Sequence, residues 1–200
     1  MQDRVIFHVD ANSAFLSWTA AYRVRVLGES LDLRDVPSVI AGDKESRHSI
    51  ILAKSGPAKK YGIQTGEPLF QAMEKCPDLI VAPPDYSLYV EASRHFVGML
   101  RQFSPMVQQY SIDEAWVDMT GTERIFGAPR LAAEKMRQRI WDELGFTVNV
   151  GISSNKLLAK MAGDFEKPNK VHTLFPEEVE YKMWPLPVRD LFLVGSATVR

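Results

Sequence analysis

Three carboxylates stand where a metal-dependent reaction on phosphates could use them. Asp10 follows the apolar run of residues 4–9, and Asp113 and Glu114 separate two other β-type runs. Carboxylate oxygens are hard ligands that Mg²⁺ prefers, and two Mg²⁺ ions can activate an attacking hydroxyl and stabilise a leaving oxygen. The sequence therefore makes these three residues candidates for a magnesium site.

Each of these carboxylates also has an ordinary structural explanation. Asp10 could cap the helix that follows it, and Asp113 and Glu114 could occupy a solvated turn. Successive residues of a strand point to opposite faces, so Asp113 and Glu114 can share a site only if the backbone bends or bulges there. The residue types by themselves leave both interpretations open.

The elements that must position these residues follow from the spacing of the apolar side chains. Longer helices are predicted over residues 14–26, 85–103, 129–144 and 155–165, with short ones over 57–61 and 68–75. Strands are predicted over residues 4–9, 37–41, 49–53, 79–82, 107–112, 115–119 and 147–152, and the second and third should form a hairpin around a charged loop. Residues 10–13 should provide the turn and the N-cap of the first helix. This alternation predicts an α/β or α+β sheet with a small insertion between about Asp32 and Pro83.

Composition and charge exclude several classes of protein. The chain has 200 residues, of which 46% are hydrophobic and 24% charged, so it is unlike disordered, collagen-like or disulfide-rich chains. The net charge of −1 argues against a surface uniformly adapted to nucleic acid, so any DNA contact needs a local basic patch. The single cysteine, Cys76, is expected to be buried in a protein of the reducing cytoplasm. No secretory leader and no apolar run of membrane-spanning length is present, so no membrane partner is expected.

Five motifs occur in a fixed order along the chain. They are residues 7–15 (FHVDANSAF), 58–63 (AKKYGI), 110–115 (YSIDEA), 150–160 (VGISSNKLLAK) and 167–169 (KPN). This ordered set resembles the Y-family translesion DNA polymerases of the DinB/UmuC group, which are also called impB/mucB/samB-like. The resemblance extends from Val5 to about Arg200, and the SIDEA motif is highly specific to the family.

The resemblance implies an α+β fold, a ferredoxin-like polymerase palm with a small fingers insertion and the start of a helical thumb. Residues 1–31 and 84–170 would form the palm, 32–83 the fingers, and 171–200 the start of a truncated thumb. The chain would then be an N-terminal fragment, and by itself weakly active or inactive. The rest of the thumb and a little-finger domain, which grips DNA most broadly, would lie beyond it.

The resemblance also implies roles for individual residues. Two Mg²⁺ ions would be held by Asp10, Asp113, Glu114 and the carbonyl of Ala11, and the nucleotide would contact Phe15, Lys59 and Lys167. Phe15 would be the steric gate that excludes a 2′-hydroxyl, although without the resemblance its place on the apolar stripe of the helix favours a core residue. Either lysine alone could be an ordinary solvated side chain. Where many relatives carry a second aspartate, this chain has Asn12, a difference that leaves the expected metal ligands intact.

Two further lysines are candidates for DNA contacts. Lys156 and Lys160 lie one helical turn apart, so they should share an exposed face near DNA phosphates. The resemblance implies primer–template DNA and a deoxynucleoside triphosphate as partners, with a sliding clamp as a further partner through the part of the protein beyond this chain.

The implied activity is that of a DNA-directed DNA polymerase that copies damaged template. A primer 3′-hydroxyl would attack the α-phosphate of a deoxynucleoside triphosphate and release pyrophosphate. One alternative is a non-catalytic polymerase-like adaptor in a mutagenesis complex, but such relatives usually lack the carboxylates that this chain keeps. A second alternative is a nucleotidyl cyclase on a similar sheet, whose hairpin signature this chain does not show.

Overall fold

The structure is a computed structural model that describes residues 4–43, 49–195, 197 and 198. The chain divides into two compact units, one formed by Met1–Asn12 and His95–Arg200 and the other by Ser13–Arg94. Most of the charged loop expected before residue 49, and the last residues of the expected thumb segment, lie outside the described residues. The division into palm, fingers and thumb drawn from the sequence stays a prediction.

The predicted helices and strands occur in the predicted order along the chain, and the structure adds a short helix over Glu123–Phe126 that was not predicted. The strands are β1 (Ile6–Ala11), β2 (Ser38–Ala41), β3 (Ile51–Lys54), β4 (Ile80–Ala82), β5 (Val107–Gln109), β6 (Glu114–Asp118), β7 (Val148–Ser153) and β8 (Val171–Thr173). The helices are α1 (Ala14–Arg25), α2 (Gly56–Lys59), α3 (Leu69–Lys75), α4 (Tyr86–Arg101), α5 (Glu123–Phe126), α6 (Pro129–Leu144), α7 (Lys156–Asp164) and α8 (Val179–Lys182). Short 3₁₀ turns cover Pro176–Glu178 and Val188–Asp190. None of the helices in this described part of the chain is both long and apolar enough to cross a membrane.

The first unit contains a five-stranded sheet in the order β5-β6-β1-β7-β8. β1 is antiparallel to both β6 and β7, and β5 is antiparallel to β6. Along the chain, β1, α4, β5, β6, α6 and β7 therefore make two split βαβ connections, which is the ferredoxin-like arrangement. β8 adds a parallel edge strand beside β7. The predicted α+β class with a ferredoxin-like sheet is confirmed.

β1 lies at the centre of this sheet, and all six of its residues are buried. A strand that is covered on both faces needs apolar side chains on both of them, which explains why residues 5–9 are mainly apolar. His8 and Asp10 are therefore buried polar residues within a core strand. Such residues need partners, because an unpaired buried polar group is costly.

Helix α7 packs directly on β7 and β1 through two glycines. A Cβ on Gly151 would lie 1.9 Å from the carbonyl oxygen of Ala159, and a Cβ on Gly163 would lie 3.3 Å from His8 Nδ1. Only glycine at position 151 lets the helix backbone come this close to the strand. The glycine in the VGISSNK motif thus sets the distance between α7 and the strands that carry the candidate site.

The second unit contains a three-stranded sheet in the order β3-β2-β4. β2 and β3 are antiparallel, which confirms the predicted hairpin, and β4 pairs in parallel with β2. Cys76 is 2% exposed in the core of this unit, as expected. The side chain of Ser55 accepts hydrogen bonds from the backbone N–H groups of Ala58 and Ser38, each at 3.1 Å, and so fixes the turn from β3 into α2.

The predicted N-cap of α1 is wrong in one respect. Ser13 occupies the N-cap position with a φ of 48°, and among the described residues its side chain makes no capping hydrogen bond. A capping serine normally has extended backbone angles, so the left-handed conformation aims its hydroxyl elsewhere. The amide of Asn12 is used for other contacts, which are described below.

Candidate active site

Three polar residues form a row across neighbouring strands of the first unit. In the sheet register Asp10 of β1 lies directly opposite Glu114 of β6 on one side and Asn149 of β7 on the other. Directly opposed residues project to the same face of a sheet, so the three side chains share one face. His8 lies two residues before Asp10 and therefore projects to this face as well.

Glu114 is held by two neighbours. The Nζ of Lys160 donates to both carboxylate oxygens, at 3.0 and 2.9 Å, and His8 Nε2 lies 3.4 Å from Glu114 Oε2. Burial alone would raise the pKa of Glu114, but His8 and Lys160 outweigh that effect and lower the pKa to about 2. Glu114 is therefore ionised throughout the physiological pH range.

Asp10 is 7% exposed and pairs with Lys167, whose Nζ donates to Asp10 Oδ2. Burial raises the pKa of Asp10, and the negative charges of Glu114 and Asp113 add to the rise, while Lys167 lowers it. For Lys167, burial would lower the pKa, but Asp10 and Asp164 outweigh it and raise the pKa instead. Negative charge is thus concentrated at this end of the sheet, and the lysine ammonium offsets part of it.

Asp113 lies in a bend immediately before β6. The backbone therefore bends just before Glu114, which is the condition under which Asp113 and Glu114 can share a site. The carbonyl oxygen of Asp113 accepts a hydrogen bond from the backbone N–H of Ala11 at 3.0 Å, and its carboxylate accepts one from the Ser111 hydroxyl at 2.7 Å. The backbone of Asp113 is thus tied to the end of β1, while its side chain is turned toward Ser111.

The donor atoms fit Mg²⁺ in their chemistry. Asp10, Glu114 and Asp113 supply carboxylate oxygens that act on one another electrostatically, and such oxygens are preferred by Mg²⁺. As folded, the described residues contain no group of three His, Cys, Asp or Glu side chains placed to hold a metal ion. The ammonium groups of Lys160 and Lys167 lie on two of the carboxylates, so a divalent cation would compete with them for the same oxygens.

The two lysines of α7 differ in their surroundings. Lys156 is exposed, as predicted, and its Nζ lies 5.6 Å from the centre of the Trp116 ring. Lys160 is only 7% exposed, so the shared exposed face expected from their spacing is not found. Burial draws the Lys160 ammonium to Glu114 because a buried cation needs an anionic partner. A DNA contact by either lysine stays a prediction.

Phe15 and Lys59 belong to the second unit. The half-buried Phe15 ring stacks on Tyr89 with ring centres 4.4 Å apart and an interplanar angle of 10°. The Tyr89 hydroxyl in turn lies 3.2 Å from the Thr19 hydroxyl. Phe15 is therefore partly open and backed by a second ring, an arrangement compatible with a steric gate and unlike a fully buried core position.

Lys59 ends α2 and is exposed. Burial lowers the pKa of the nearby Lys54, and the positive charge of Lys59 lowers it further. The negative charge of Glu67 opposes this effect, and the two lysines together still concentrate positive charge that would favour an anion. This patch agrees with the phosphate contact expected for Lys59, which itself stays a prediction.

Sequence reasoning missed His8, Asn149 and Tyr89. His8 could have been found from its position two residues before Asp10, since strand parity places both on one face. Asn149 interrupts the apolar run of β7, and a polar residue within a buried strand indicates a specific hydrogen-bonding partner. Tyr89 looked like any other residue of an apolar helix stripe, and its role depends on packing that the sequence does not reveal.

The model of the impB/mucB/samB family matches residues 9–164, which include Asp10, Asp113, Glu114 and all of α7. The chain belongs to the impB/mucB/samB family. The chain is similar to DNA polymerase IV of Clostridium acetobutylicum, with 53% identity over 197 residues. It is also similar to DNA polymerase IV of Clostridium kluyveri, with 40% identity over 197 residues. Both matches cover 98% of the chain but only 49% and 48% of those relatives. It therefore spans about half the length of these relatives.

Solved structures show the same fold as this impB/mucB/samB chain. The crystal structure of DinB from Sulfolobus solfataricus matches with a TM-score of 0.81 and 27% identity, covering 96% of this chain and 55% of that one. An insertion ternary complex of Dbh DNA polymerase matches with a TM-score of 0.81 and 25% identity, with the same coverage. The expected resemblance to the Y family and the expected α+β polymerase fold are confirmed.

Proposed function

We propose that the protein is a Y-family DNA-directed DNA polymerase, a nucleotidyltransferase that adds deoxynucleotides opposite damaged template with the help of two Mg²⁺ ions. The observation that carries this proposal is the opposition of Asp10 and Glu114 on one face of the sheet, with Asp113 tied to the same strand end. The names of the relatives support it, because those curated proteins are DNA polymerases IV.

In the proposed reaction, Asp10, Asp113 and Glu114, with the carbonyl of Ala11, would hold the metal ions. When bound, Mg²⁺ would favour the deprotonated primer 3′-hydroxyl and offset charge on the transferred phosphate. Lys167 is long enough to leave Asp10 for a triphosphate oxygen, since a mobile ammonium moves readily between anions of similar charge. Lys59 would supply a second positive charge to the triphosphate.

Phe15 would set the choice of sugar. A ring held by stacking on Tyr89 presents a rigid face, and a rigid face beneath the incoming sugar would leave no room for a 2′-hydroxyl. Lys156 and Lys160 would face the phosphates of primer–template DNA. A sliding clamp as partner and a cytoplasmic location, both expected from the sequence, stay predictions.

The retained carboxylates favour this proposal over the non-catalytic adaptor. An adaptor would have no need for a buried aspartate whose ionisation is opposed by burial and by two neighbouring negative charges. A buried carboxylate whose pKa is raised by burial and by neighbouring negative charges is typical of sites that bind cations or carry out catalysis.

Primer extension with Mg²⁺ and deoxynucleoside triphosphates tests the proposal. Glu114→Gln should lower the extension rate by at least about 100-fold, because it removes a charged metal ligand at nearly constant shape. Asp118→Asn is the matched control, since Asp118 lies on the same strand and face but pairs with the exposed Arg4. These rates are measured in the full-length protein, where equal rates for Glu114→Gln and the parent would contradict the proposal and a full-length parent without any extension activity would favour the adaptor.

A further inference from the structure

Asn149 is a buried amide at the centre of the candidate site. It is 0% exposed and lies opposite Asp10 in the register of β1 and β7. Burying an amide without hydrogen-bond partners costs about 1–3 kcal/mol of folding free energy. The partners of Asn149 therefore indicate which segments it stabilises.

All four hydrogen-bonding positions of the Asn149 amide are in use. Its Nδ2 donates to the carbonyl oxygens of Gly163, at 3.0 Å, and Glu166, at 2.6 Å. Its Oδ1 accepts from the backbone N–H of Lys170, at 3.2 Å, and from Asn12 Nδ2, at 3.1 Å. Because the first two partners can only accept and the third can only donate, the orientation of the amide is determined.

Asn12 extends the same network. While its Nδ2 donates to Asn149, its Oδ1 accepts from the backbone N–H of Asn169, at 2.9 Å, and from the Thr147 hydroxyl, at 3.0 Å. The segment of residues 165–170, called the Lys167 loop below, is therefore held at Glu166, Asn169 and Lys170. Lys167 lies between these attachment points, and its ammonium meets Asp10.

We propose that Asn12 and Asn149 are positioning residues that hold the backbone of the Lys167 loop so that the Lys167 ammonium is placed beside Asp10. Because the loop is already ordered in the folded protein, a ligand that binds there causes little further loss of backbone conformational entropy. What Lys167 then does for a nucleotide rests on the proposed function, whereas its position at Asp10 does not.

The chemistry of Asn12 makes a sharp test available. Asn12→Asp keeps the shape of the side chain and its acceptor for Asn169, but it cannot donate to Asn149. A carboxylate oxygen at position 12 would then face Asn149 Oδ1 at about the 3.1 Å that separates Asn12 Nδ2 from it now. Two acceptors in contact are unfavourable in a buried position. Asn149→Leu removes the hydrogen bonds of the network while keeping a side chain that branches at Cγ, and serves as the second variant. Gln138→Leu is the matched control, since Gln138 is an exposed amide on α6 whose Nε2 donates to Asp142.

Hydrogen exchange of the Asn169 and Lys170 amides tests the inference without any activity. Both variants should accelerate exchange at these two amides at least about tenfold, while the amides of β1 stay protected. Gln138→Leu should leave all of them unchanged. Parent-like exchange at Asn169 and Lys170 in both variants would overturn the inference, and a uniform loss of protection in both would too, because the amides would then only stabilise the fold.

Steady-state kinetics test the link to Lys167. Asn149→Leu should raise KM for the deoxynucleoside triphosphate by about 10- to 100-fold with a much smaller change in kcat. In a Lys167→Met background the same substitution should have no further effect on KM, because the network acts through Lys167. Additive effects on KM would overturn the inference. These kinetics use the full-length protein: a full-length parent that extends no primer would refute the proposed function instead, and the exchange experiment would still decide the positioning role.

Discussion

Asp10 and Glu114 lie directly opposite each other on β1 and β6, and each carboxylate is held by a different lysine. Lys160 belongs to α7 itself, and Lys167 belongs to the loop that follows this helix. One helix and its C-terminal loop therefore neutralise both carboxylates of the pair. The position of α7 on the sheet consequently determines the electrostatics of the candidate site.

The ion pair of Lys160 and Glu114 should contribute measurably to stability. Lys160→Met should lower the free energy of unfolding by about 2 kcal/mol, because it leaves a largely buried carboxylate with less compensation. Glu114→Gln in the same chain should recover most of that loss, and urea unfolding of the four proteins of this double-mutant cycle measures the coupling. Lys156→Met, at an exposed position, should change stability by less than about 0.5 kcal/mol. A coupling near zero would show that the pair is incidental.

Phe15→Ala should increase the use of ribonucleotides relative to deoxyribonucleotides by about 10- to 100-fold, because it removes the ring that we propose excludes the 2′-hydroxyl. Single-nucleotide insertion with paired ribo- and deoxyribonucleoside triphosphates measures this ratio. Tyr22→Ala is the control, since Tyr22 is a more exposed aromatic residue of the same helix. An unchanged ratio in a folded Phe15→Ala protein would mean that Phe15 serves only packing.

Gly151→Ala should destabilise the protein by about 3 kcal/mol or more, because the added Cβ would collide with the backbone of α7 at Ala159. Gly98→Ala is the matched control, because a Cβ there meets nothing within 4 Å and Gly98 lies inside α4. Replacing a helical glycine by alanine should stabilise by about 0.5–1 kcal/mol. Chemical denaturation of the two variants checks both signs, and equal effects would contradict the close approach of α7.

Glu178 should make stability depend on pH in the acidic range. Burial would raise the pKa of Glu178, but hydrogen bonds from Lys182, the Phe175 N–H and the Thr173 hydroxyl outweigh it and lower the pKa below its ordinary value of 4.5. A lowered pKa contributes stability that is present above pH 4.5 and is lost as the pH falls further.

The test compares Glu178→Gln with the parent in urea unfolding at two pH values. The variant should be less stable by about 1 kcal/mol at neutral pH and close to the parent at about pH 3. Glu180→Gln, at an exposed position of the same turn, should show no such pH-dependent difference. A difference that persists unchanged in acid would exclude the ionised form of Glu178 as its cause.

Lys156→Ala should weaken binding of primer–template DNA and reduce its salt dependence. Each phosphate contact that is lost should lower the slope of log K against log salt concentration by about 0.9. Fluorescence anisotropy across a salt series measures this slope, with Lys135→Ala on α6 as the control lysine. The same slope for Lys156→Ala and the parent would show that Lys156 does not contact a DNA phosphate.

The order and type of the main elements could be predicted from the sequence because they depend on local patterns. β1 is a β-type run of mainly apolar residues, and α4, α6 and α7 repeat their apolar residues at helical spacing. The hairpin of β2 and β3 followed from two neighbouring β-type runs. Even the bend at Asp113 could be anticipated, since consecutive strand residues cannot otherwise share a face.

The partners of the site residues could not be predicted in this way. Helical spacing places Lys156 and Lys160 on one face, yet one is exposed and the other lies buried against Glu114. The sequence does not show how closely each turn of α7 approaches the sheet. That distance depends on the contact between Gly151 of β7 and Gly163 of α7. The expected cap at Ser13 failed for a related reason, because the backbone conformation there is set by its surroundings.

The sequence by itself determined the class of the fold, the family and the carboxylates of the candidate site, because motifs and periodicity are properties of the chain alone. Only the tertiary structure decided that Asp10, Glu114 and Asn149 form one row, that two lysines neutralise the first two, and that the third holds the Lys167 loop. These relationships join residues as far apart as 10 and 167 in the chain. They arise from strand register and helix packing, which bring distant segments together and which no local pattern encodes.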